Sequence, residues 1–464
     1  MKTDTTPRID EDSIVNLLSA AMPASESEIL EILTRARKLE GLSANDVAAL
    51  CNISDPGLLG ELFRTAREAK EEIYGNRLVI FTPLYVSNLC RNDCAYCAFR
   101  SSNRDVTRRA LTQAEIAAET AALVDEGHKR VLLVAGEAYP EDGFDYILRA
   151  IDTIYGVKRG RGEIRRVNVN VAPLTENEFR RLKEHNIGTY QIFQETYHRQ
   201  AYRQVHLRGR KTDYDWRLGA MDRAFQAGID DLGIGVLFGL ADWRYELLAI
   251  QQHIRHLEKH YGVGFYIISV PRLEPAAGAD LASNPPYPVS DLNFRKIVAI
   301  LRLMVPYTGI IMSTRETAAI RRETFALGVS QISAGSRTNP GGYSSSANAA
   351  VGQFSLGDVR SLDEVVADVA RLGYTPSFCT GCYRLGRTGA DFMDLALPGA
   401  IKQHCAPNGL SSFLEYLLDY AQPQTREAGL HCIDHVLENM ETEPKRRAKA
   451  MLEKVSAGRR DVFC

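Results

Sequence analysis

The fold of this chain is constrained most by eight short runs of apolar and β-branched residues. Helical stretches long enough to cross over a sheet separate these runs. Strands that alternate with helices favour parallel βαβ units, and eight such units predict an α/β fold of the (β/α)8 barrel type. The predicted strands are Leu78–Val86, Arg130–Ala135, Val167–Ala172, Thr189–Phe193, Asp231–Leu237, Tyr266–Val270, Gly309–Ser313 and Val329–Ala334.

The segments on either side of these runs have a helical pattern. Ile14, Leu17, Ile29 and Leu33 recur at helical spacing, which predicts a helical N-terminal extension over residues 1–76. We expect the barrel to occupy residues 77–360, and residues 361–464 to form an appended helical domain.

Composition narrows the class of protein. The 464 residues carry 56 basic and 58 acidic side chains, a net charge of −2 that gives no electrostatic footprint for nucleic acid. No apolar run approaches the roughly 20 residues that span a bilayer, and the first residues lack the apolar core of a secretory signal. These features predict a cytoplasmic protein with neither a membrane nor a nucleic acid as its partner.

Six of the nine cysteines fall into two triplets, Cys90-x3-Cys94-x2-Cys97 and Cys379-x2-Cys382-x22-Cys405. Structural zinc sites normally use four protein ligands, whereas three thiolates on a four-iron cubane leave one iron open for another ligand. The triplets therefore predict two [4Fe-4S] clusters, each with an open iron. Three cysteines stand alone and are expected to be reduced thiols, namely Cys51, Cys432 and Cys464.

Polar residues follow the predicted strands at the end of the barrel where such enzymes place their chemistry. They suit a pocket for a zwitterionic substrate, and Cys90 follows the first strand at the same end. An asparagine here could instead satisfy loop backbone, and Glu195 could pair with a barrel arginine for structure alone. The residues are Gly136, Glu137, Asn168, Asn170, Glu195, Ser269, Arg272, Ser313 and Arg315.

The first triplet, with an aromatic Tyr96 before its last cysteine, resembles the radical S-adenosylmethionine (SAM) superfamily. Together with the second triplet it resembles the HydG family of tyrosine lyases, which help mature [FeFe]-hydrogenase, and the likeness runs through nearly the whole chain. ThiH, the tyrosine lyase of the thiamin pathway, is similar in the middle of the chain but lacks the second triplet. The resemblance implies a closed barrel, and it implies SAM contacts from Tyr96, Gly136, Glu137, Asn168, Glu195 and Arg223.

This resemblance also implies a reaction. SAM receives one electron, from a donor such as flavodoxin or ferredoxin, and the resulting radical cleaves the Cα–Cβ bond of L-tyrosine to p-cresol and dehydroglycine. In the family this fragment becomes carbon monoxide and cyanide on an extra, fifth iron at the second cluster, and hydrogenase maturation proteins are possible partners.

Four residues are candidates to hold the substrate. Ser313 and Arg315 are the preferred anchors, because a guanidinium fork matches a carboxylate, while Arg272 and Ser269 are further candidates. A surface charge is the alternative for Arg223. Near the second triplet, Arg384 and Arg387 could steer an anionic fragment or could equally form salt bridges.

One position departs from the family. Its histidine ligand for the fifth iron lies on the sixth strand, where this chain has Tyr266, and a phenol must lose a proton with a pKa near 10 before it binds iron well. His256 and His260 precede that strand and are expected to be solvated. The prediction is a lyase that holds a fifth iron poorly or not at all. The alternatives are an enzyme that stops at dehydroglycine, one that acts on another amino acid, and a non-catalytic iron–sulfur scaffold.

Overall fold

The computed structural model describes residues 7–20, 24–344 and 351–464. The expectation that the first residues of the chain lack the apolar core of a secretory signal concerns residues outside these ranges. Before the barrel come four helices, whose N-caps at Ser25, Ser43 and Asp55 accept backbone N–H groups. They are α1 (Glu11–Ala20), α2 (Glu26–Ala36), α3 (Ala44–Cys51) and α4 (Pro56–Tyr74).

Eight parallel strands close into a barrel, which confirms the predicted fold class. Closure occurs where Ile80 on the first strand pairs with Ile332 on the last. The strands are β1 (Arg77–Ser87), β2 (Arg130–Ala135), β5 (Arg166–Asn170), β6 (Tyr190–Glu195), β7 (Leu232–Val236), β8 (Ile267–Ser269), β9 (Gly309–Met312) and β10 (Gln331–Ser333), and a small hairpin of β3 (Lys158–Arg159) and β4 (Gly162–Glu163) precedes β5.

Helices connect the strands around the outside of the barrel. Thr112 and Glu115 form a capping box at the start of the first one, and Gly262, in the left-handed conformation, ends the longest one. They are α5 (Gln113–Asp125), α6 (Asp145–Gly156), α7 (Glu176–Glu184), α8 (Arg199–Val205), α9 (Tyr214–Leu218), α10 (Ala220–Gln226), α11 (Trp243–Tyr261), α12 (Asp280–Ser283), α13 (Asp291–Met304) and α14 (Ala318–Leu327), with a 3-10 turn at Arg210–Thr212.

The C-terminal segment contains one strand as well as helices. Strand β11 (Thr375–Ser377) pairs in parallel with the first residues of β1, which places the following Cys379 beneath the N-terminal end of the barrel. The helices are α15 (Leu362–Arg371), α16 (Gly381–Arg384), α17 (Gly389–Ala396), α18 (Lys402–Asp419), α19 (Pro423–Glu438) and α20 (Thr442–Ser456). Across the described ranges, none of the helices combines the length and apolar character needed to cross a membrane.

A layer of apolar side chains fills the middle of the barrel. Phe81, Ile267 and Ile311 form this layer, and Leu132 and Tyr266 pack against it. The layer lies between two cavities at opposite ends of the barrel, and each cavity contains one of the cysteine triplets.

Candidate active site

The larger cavity, of about 1370 Å³ with its open mouth, lies at the C-terminal ends of the strands. All three cysteines of the first triplet line it, in the loop that follows β1. Burial raises the pKa of the Cys90 thiol to about 11 and also raises those of Cys94 and Cys97. Because cluster iron binds thiolates, loading this site must release protons.

Gly136 packs directly beneath the cysteine loop. A Cβ atom at this position would collide with the carbonyl oxygen of Leu89, the residue before Cys90. The Gly136 N–H also donates to the Ser87 carbonyl at 2.9 Å. Glycine at position 136 therefore permits the close approach of the loop that presents Cys90. A contact between Gly136 and SAM stays a prediction.

Two buried ion pairs form one wall of the cavity. Arg217 Nη1 lies 2.8 Å from Glu137 Oε1, and Lys211 Nζ lies 2.5 Å from Glu195 Oε1. Asn92 Nδ2 donates to the other Glu137 oxygen at 2.6 Å. Burial alone would raise the pKa of the Glu137 carboxyl, but the Arg217 and Lys211 charges outweigh it and lower that pKa. The wall thus combines charged acceptors and donors, as a zwitterionic ligand requires.

Glu195 has a strained backbone. Its φ of +71° lies in the left-handed region, which is uncommon for a residue with a side chain. Such strain persists only where the surroundings enforce it, and it is concentrated at functional sites. The structure places Glu195 in the cavity wall beside its partner Lys211, and sequence reasoning had not identified Lys211.

Three predicted cofactor contacts occupy different surroundings. Tyr96 lines the cavity, and its hydroxyl lies 2.8 Å from His206 Nε2. Arg223 does not line the cavity; its guanidinium lies 3.6 Å above the Trp216 ring. Asn168 also lies outside the lining, where its Oδ1 accepts the Thr189 N–H at 3.1 Å. SAM contacts from these residues remain predictions.

Arg217, which sequence reasoning missed, lines the cavity of the first cysteine triplet, whereas Arg223, the predicted arginine, does not. It is located on the short helix α9, just before Arg223, and its side chain is 5% exposed. A helix of five residues has too little periodicity to show which face is buried. No local signal in the sequence distinguishes this buried arginine from a solvated one.

Arg315 and Ser313 face the same cavity from the end of β9. The Arg315 guanidinium lies 3.3 Å from the centre of the Phe354 ring. Burial lowers the pKa of this arginine, and among the described residues no carboxylate forms an ion pair with it. The charges of Glu195 and Glu274 act on Arg315 from a longer range than a direct ion pair. A buried cation at the wall of a cavity, with no described carboxylate in direct contact, suits the carboxylate of a substrate.

The other two candidate anchors are already engaged. Arg272 pairs with Glu316 and, through Nη1, with Asp291 Oδ1 at 2.8 Å, and it does not line the cavity. Ser269 lines the cavity and accepts a hydrogen bond from the Gln191 amide. The geometry therefore favours Arg315 over Arg272 as the carboxylate anchor.

The smaller cavity, of about 500 Å³, lies at the N-terminal ends of the strands and is lined by Cys379, Cys382 and Cys405. A hydrogen bond from the Cys382 thiol lowers the pKa of Cys405, and the Arg77 charge acts in the same direction. Arg77 and Arg130 both line the cavity. Among the described residues, the thiols of neither triplet lie close enough together to bind one metal ion. A four-iron cubane does not need them to, because its cysteine ligands bind different irons.

Tyr266 lies in this second cavity with the thiols. Its ring packs edge-on against Phe392, with the ring centres 4.5 Å apart, and burial raises the pKa of its hydroxyl well above the usual value. The phenol is therefore neutral and is a poor ligand for iron. Tyr266 therefore stands beside the thiols of the second triplet without the chemistry of a metal ligand.

The remaining polar candidates lie outside this cavity. Arg384 pairs with Asp461, and Arg387 Nη1 donates to the Cys464 carbonyl at 3.3 Å. His256 is not solvated as expected, because its side chain is only 14% exposed and its Nε2 lies 2.7 Å from the buried Asp222 Oδ1, whereas His260 is exposed. The arginines that do face the second triplet, Arg77 and Arg130, carry no sequence signal because each begins an ordinary strand.

Comparisons with known proteins agree with this arrangement. Residues 84–248 match the radical SAM superfamily, and residues 269–375 match the biotin and thiamin synthesis associated domain. The chain is 35% identical to 2-iminoacetate synthase of Escherichia coli (strain K12) over 354 residues, which are 76% of this chain and 91% of that protein.

Two solved structures extend the likeness to the whole chain. A crystal structure of HydG, a maturase of the [FeFe]-hydrogenase, has a TM-score of 0.95 at 46% identity and covers 98% of this chain and 99% of its own. HydG from Carboxydothermus hydrogenoformans has a TM-score of 0.83 at 41% identity and covers 95% and 97%. The chain belongs to the radical SAM family that includes 2-iminoacetate synthase and the maturase HydG.

Proposed function

We propose that this protein is a radical SAM lyase that cleaves the Cα–Cβ bond of L-tyrosine to p-cresol and dehydroglycine. The observation that carries the proposal is the combination, in one cavity, of the first cysteine triplet and the guanidinium of Arg315, which makes no direct ion pair with a described carboxylate. The first suits a SAM-binding cluster and the second suits the carboxylate of an amino acid. Membership of the HydG and 2-iminoacetate synthase family supports the same substrate.

The residues of the larger cavity fit this cofactor pair. Cys90, Cys94 and Cys97 would hold a [4Fe-4S] cluster, which supplies the electron that cleaves SAM when both are bound. Glu137 and Glu195 would accept hydrogen bonds from SAM, whose amino group is a cation.

The substrate would be held on the opposite wall of the same cavity. Arg315 and Ser313 would bind its carboxylate, because both line the cavity and the guanidinium has no ion-pair partner among the described residues. Phe99 and Phe193 would exclude water from the reacting atoms, since they also line the cavity. A dry cavity protects a reactive radical from side reactions.

We place a second [4Fe-4S] cluster on Cys379, Cys382 and Cys405, where Arg77 and Arg130 would balance its negative charge. Dehydroglycine would react further there to carbon monoxide and cyanide. The neutral, buried Tyr266 favours a second candidate function, in which the fifth iron is held poorly and the reaction stops at dehydroglycine. The electron donor would be a flavodoxin or ferredoxin in a reducing compartment such as the cytoplasm, and hydrogenase maturation proteins would be further partners.

Tyrosine-dependent cleavage of SAM tests the proposal. The reconstituted, reduced protein should form 5′-deoxyadenosine and p-cresol together, and an Arg315→Met variant should raise the KM for tyrosine by roughly 100-fold, because a buried charge pair is lost. An Arg272→Met variant is the matched control, since this arginine is already paired with Glu316 and Asp291. If Arg272→Met raised that KM more than Arg315→Met, the assignment of the anchor would be wrong.

A Tyr266→His variant tests the limit at the second site. We expect it to bind more iron than the wild-type protein and to release more cyanide, because a neutral imidazole binds ferrous iron well. Unchanged iron content and unchanged products would contradict the role given to Tyr266. A Tyr266→Phe variant is the matched control, since it keeps the ring against Phe392 and lacks a metal-binding atom.

A further inference from the structure

The side-chain amide of Gln353 contacts the first cysteine triplet. Its Nε2 atom lies 3.7 Å from Cys97 Sγ, within reach of an N–H···S hydrogen bond. Its Oε1 atom accepts the Tyr85 hydroxyl at 2.7 Å. A cysteine sulfur bound to iron offers lone pairs and no proton, so the NH2 end of the amide must face it.

Tyr85 supports this orientation. Its hydroxyl donates to the amide oxygen at 2.7 Å, which leaves the NH2 end of the amide directed at Cys97. Tyr85 is 4% exposed, and Cys97, Gln353 and Tyr85 all line the same cavity. In such a poorly solvated position a hydrogen bond to a charged sulfur is stronger than in water.

We propose that Gln353 sets the reduction potential of the cluster on Cys90, Cys94 and Cys97, with Tyr85 as the residue that orients its amide. The inference rests on the SAM-binding cluster of the proposed function. A reduced cluster carries one more electron than an oxidised one, so a donor to its thiolate stabilises the reduced form more. Hydrogen bonds to the sulfurs are among the factors that set cluster potentials.

The sequence offered no sign of this role. Gln353 and Cys97 are 256 positions apart, and Gln353 itself lies outside any helix or strand. Gln353 and Phe354 line the cavity, and the N–H of Ala98 donates to the Gln353 carbonyl at 3.4 Å. Gln353 thus contacts the cysteine loop through its backbone carbonyl as well as through its side-chain amide.

An anaerobic redox titration followed by electron paramagnetic resonance tests the proposal on the full, reconstituted chain. The cluster at the first site is identified as the one whose signal changes when SAM is added, and the auxiliary cluster serves as an internal reference. In a Gln353→Leu variant we expect the midpoint of the first cluster to move to a more negative potential and that of the auxiliary cluster to stay unchanged.

Two further variants refine the test. Gln353→Glu keeps the length of the side chain but replaces the donor with an acceptor, so the midpoint should move at least as far in the negative direction. Tyr85→Phe should cause a smaller shift of the same sign, because the N–H remains but its orientation is lost. Gln191→Leu is the matched control, since Gln191 lines the same cavity but donates to Ser269, and it should leave both midpoints in place.

The results that would overturn the proposal are distinct from failure of the proposed function. Unchanged midpoints in Gln353→Leu and Gln353→Glu at full iron content would overturn it, and so would a shift of equal size at both clusters. Loss of the first cluster from every Gln353 variant would also overturn it, because the residue would then hold the site together. If the wild-type protein had no SAM-responsive cluster, the assigned chemistry itself would be wrong.

Discussion

Arg217 and Glu137 form a buried ion pair, with 2.8 Å between Nη1 and Oε1, in the wall of the cavity that contains the first cysteine triplet. Glu137 follows β2 and Arg217 lies on α9, so the pair joins the second strand to a helix beyond the fourth barrel strand. The arginine holds the carboxylate ionised, and the carboxylate is thereby available to a cationic ligand.

An Arg217→Met variant should therefore bind SAM weakly. It leaves Glu137 buried without its cation, a loss of about 3 kcal/mol, or roughly 100-fold in affinity. Arg223→Met is the comparison, because Arg223 stacks on Trp216 outside the cavity lining. Equilibrium binding of SAM to the anaerobic, reconstituted variants decides between them. A larger loss in Arg223→Met than in Arg217→Met would restore the role that the sequence assigned to Arg223.

A Gly136→Ala variant should lose the first cluster and retain the auxiliary one. The added methyl group would meet the Leu89 carbonyl and push the Cys90 loop outward. Iron is measured in Gly136→Ala and again in the same variant with Cys90, Cys94 and Cys97 replaced. Equal iron contents would show that the first cluster is the missing one. Gly60→Ala is the control, since a Cβ there meets nothing and alanine favours the helix by about 1 kcal/mol. Full iron content in Gly136→Ala would contradict the role given to this contact.

Replacing Cys379, Cys382 and Cys405 together by alanine should remove the iron of one cluster. Formation of 5′-deoxyadenosine and p-cresol should continue, because the apolar layer of Phe81, Ile267 and Ile311 lies between the two ends of the barrel. Cyanide should disappear. The matched control is Cys432→Ala, since that thiol lies against the Tyr374 carbonyl, away from both cavities. Loss of cresol in the triple variant would show that the two ends are not independent.

The buried Glu246 should make stability depend on pH. Its carboxyl accepts the Tyr197 N–H at 2.9 Å and a hydrogen bond from the Thr196 hydroxyl, and burial raises its pKa to about 8. Between the ordinary carboxyl pKa and about pH 8 the folded protein therefore holds a proton that the unfolded chain has lost. Stability should fall across this window as pH rises, by up to about 1.4 kcal/mol per pH unit, and be level below and above it.

Denaturant unfolding of the apoprotein at several pH values measures this effect. A Glu246→Gln variant, which cannot ionise, should lose stability less steeply between pH 5 and 8. The slopes of the two proteins are compared because burial also raises the pKa of Asp231, to about 7. Asp231 therefore lowers the stability of both proteins as the pH rises. Equal slopes would show that Glu246 is already ionised in the folded state.

The barrel was predictable because its strands are buried on both faces and therefore appear as unbroken apolar runs. Strand β2 begins and ends where the pattern placed it, and the ends of the others differ by no more than two residues, because hydrogen bonding rather than hydrophobicity decides the boundary. Strand β11 was not predicted, because Thr375, Pro376 and Ser377 are too few and too polar to be recognised.

The candidate site was predictable only as far as chemistry is local. Both cysteine triplets and Arg315 line cavities, since spacing and strand ends carry that information. The separation of the triplets to opposite ends of the barrel follows from the pairing of β11 with β1, which no local pattern shows. Arg217 and Gln353 escaped notice because their partners lie 80 and 256 positions away in the chain. Lys211 is only 16 positions from Glu195, but it lies in a three-residue 3-10 turn, which is too short to show a buried face.

Anaerobic product analysis shows whether the protein cleaves the Cα–Cβ bond of tyrosine. Reconstituted, reduced protein is incubated with SAM and L-tyrosine, and p-cresol, glyoxylate (from hydrolysis of dehydroglycine) and cyanide are measured. We expect p-cresol in amounts equal to the 5′-deoxyadenosine formed, with cyanide low because Tyr266 is a poor iron ligand. SAM cleavage without p-cresol would contradict it, because the bond that breaks would then not be the Cα–Cβ bond of tyrosine.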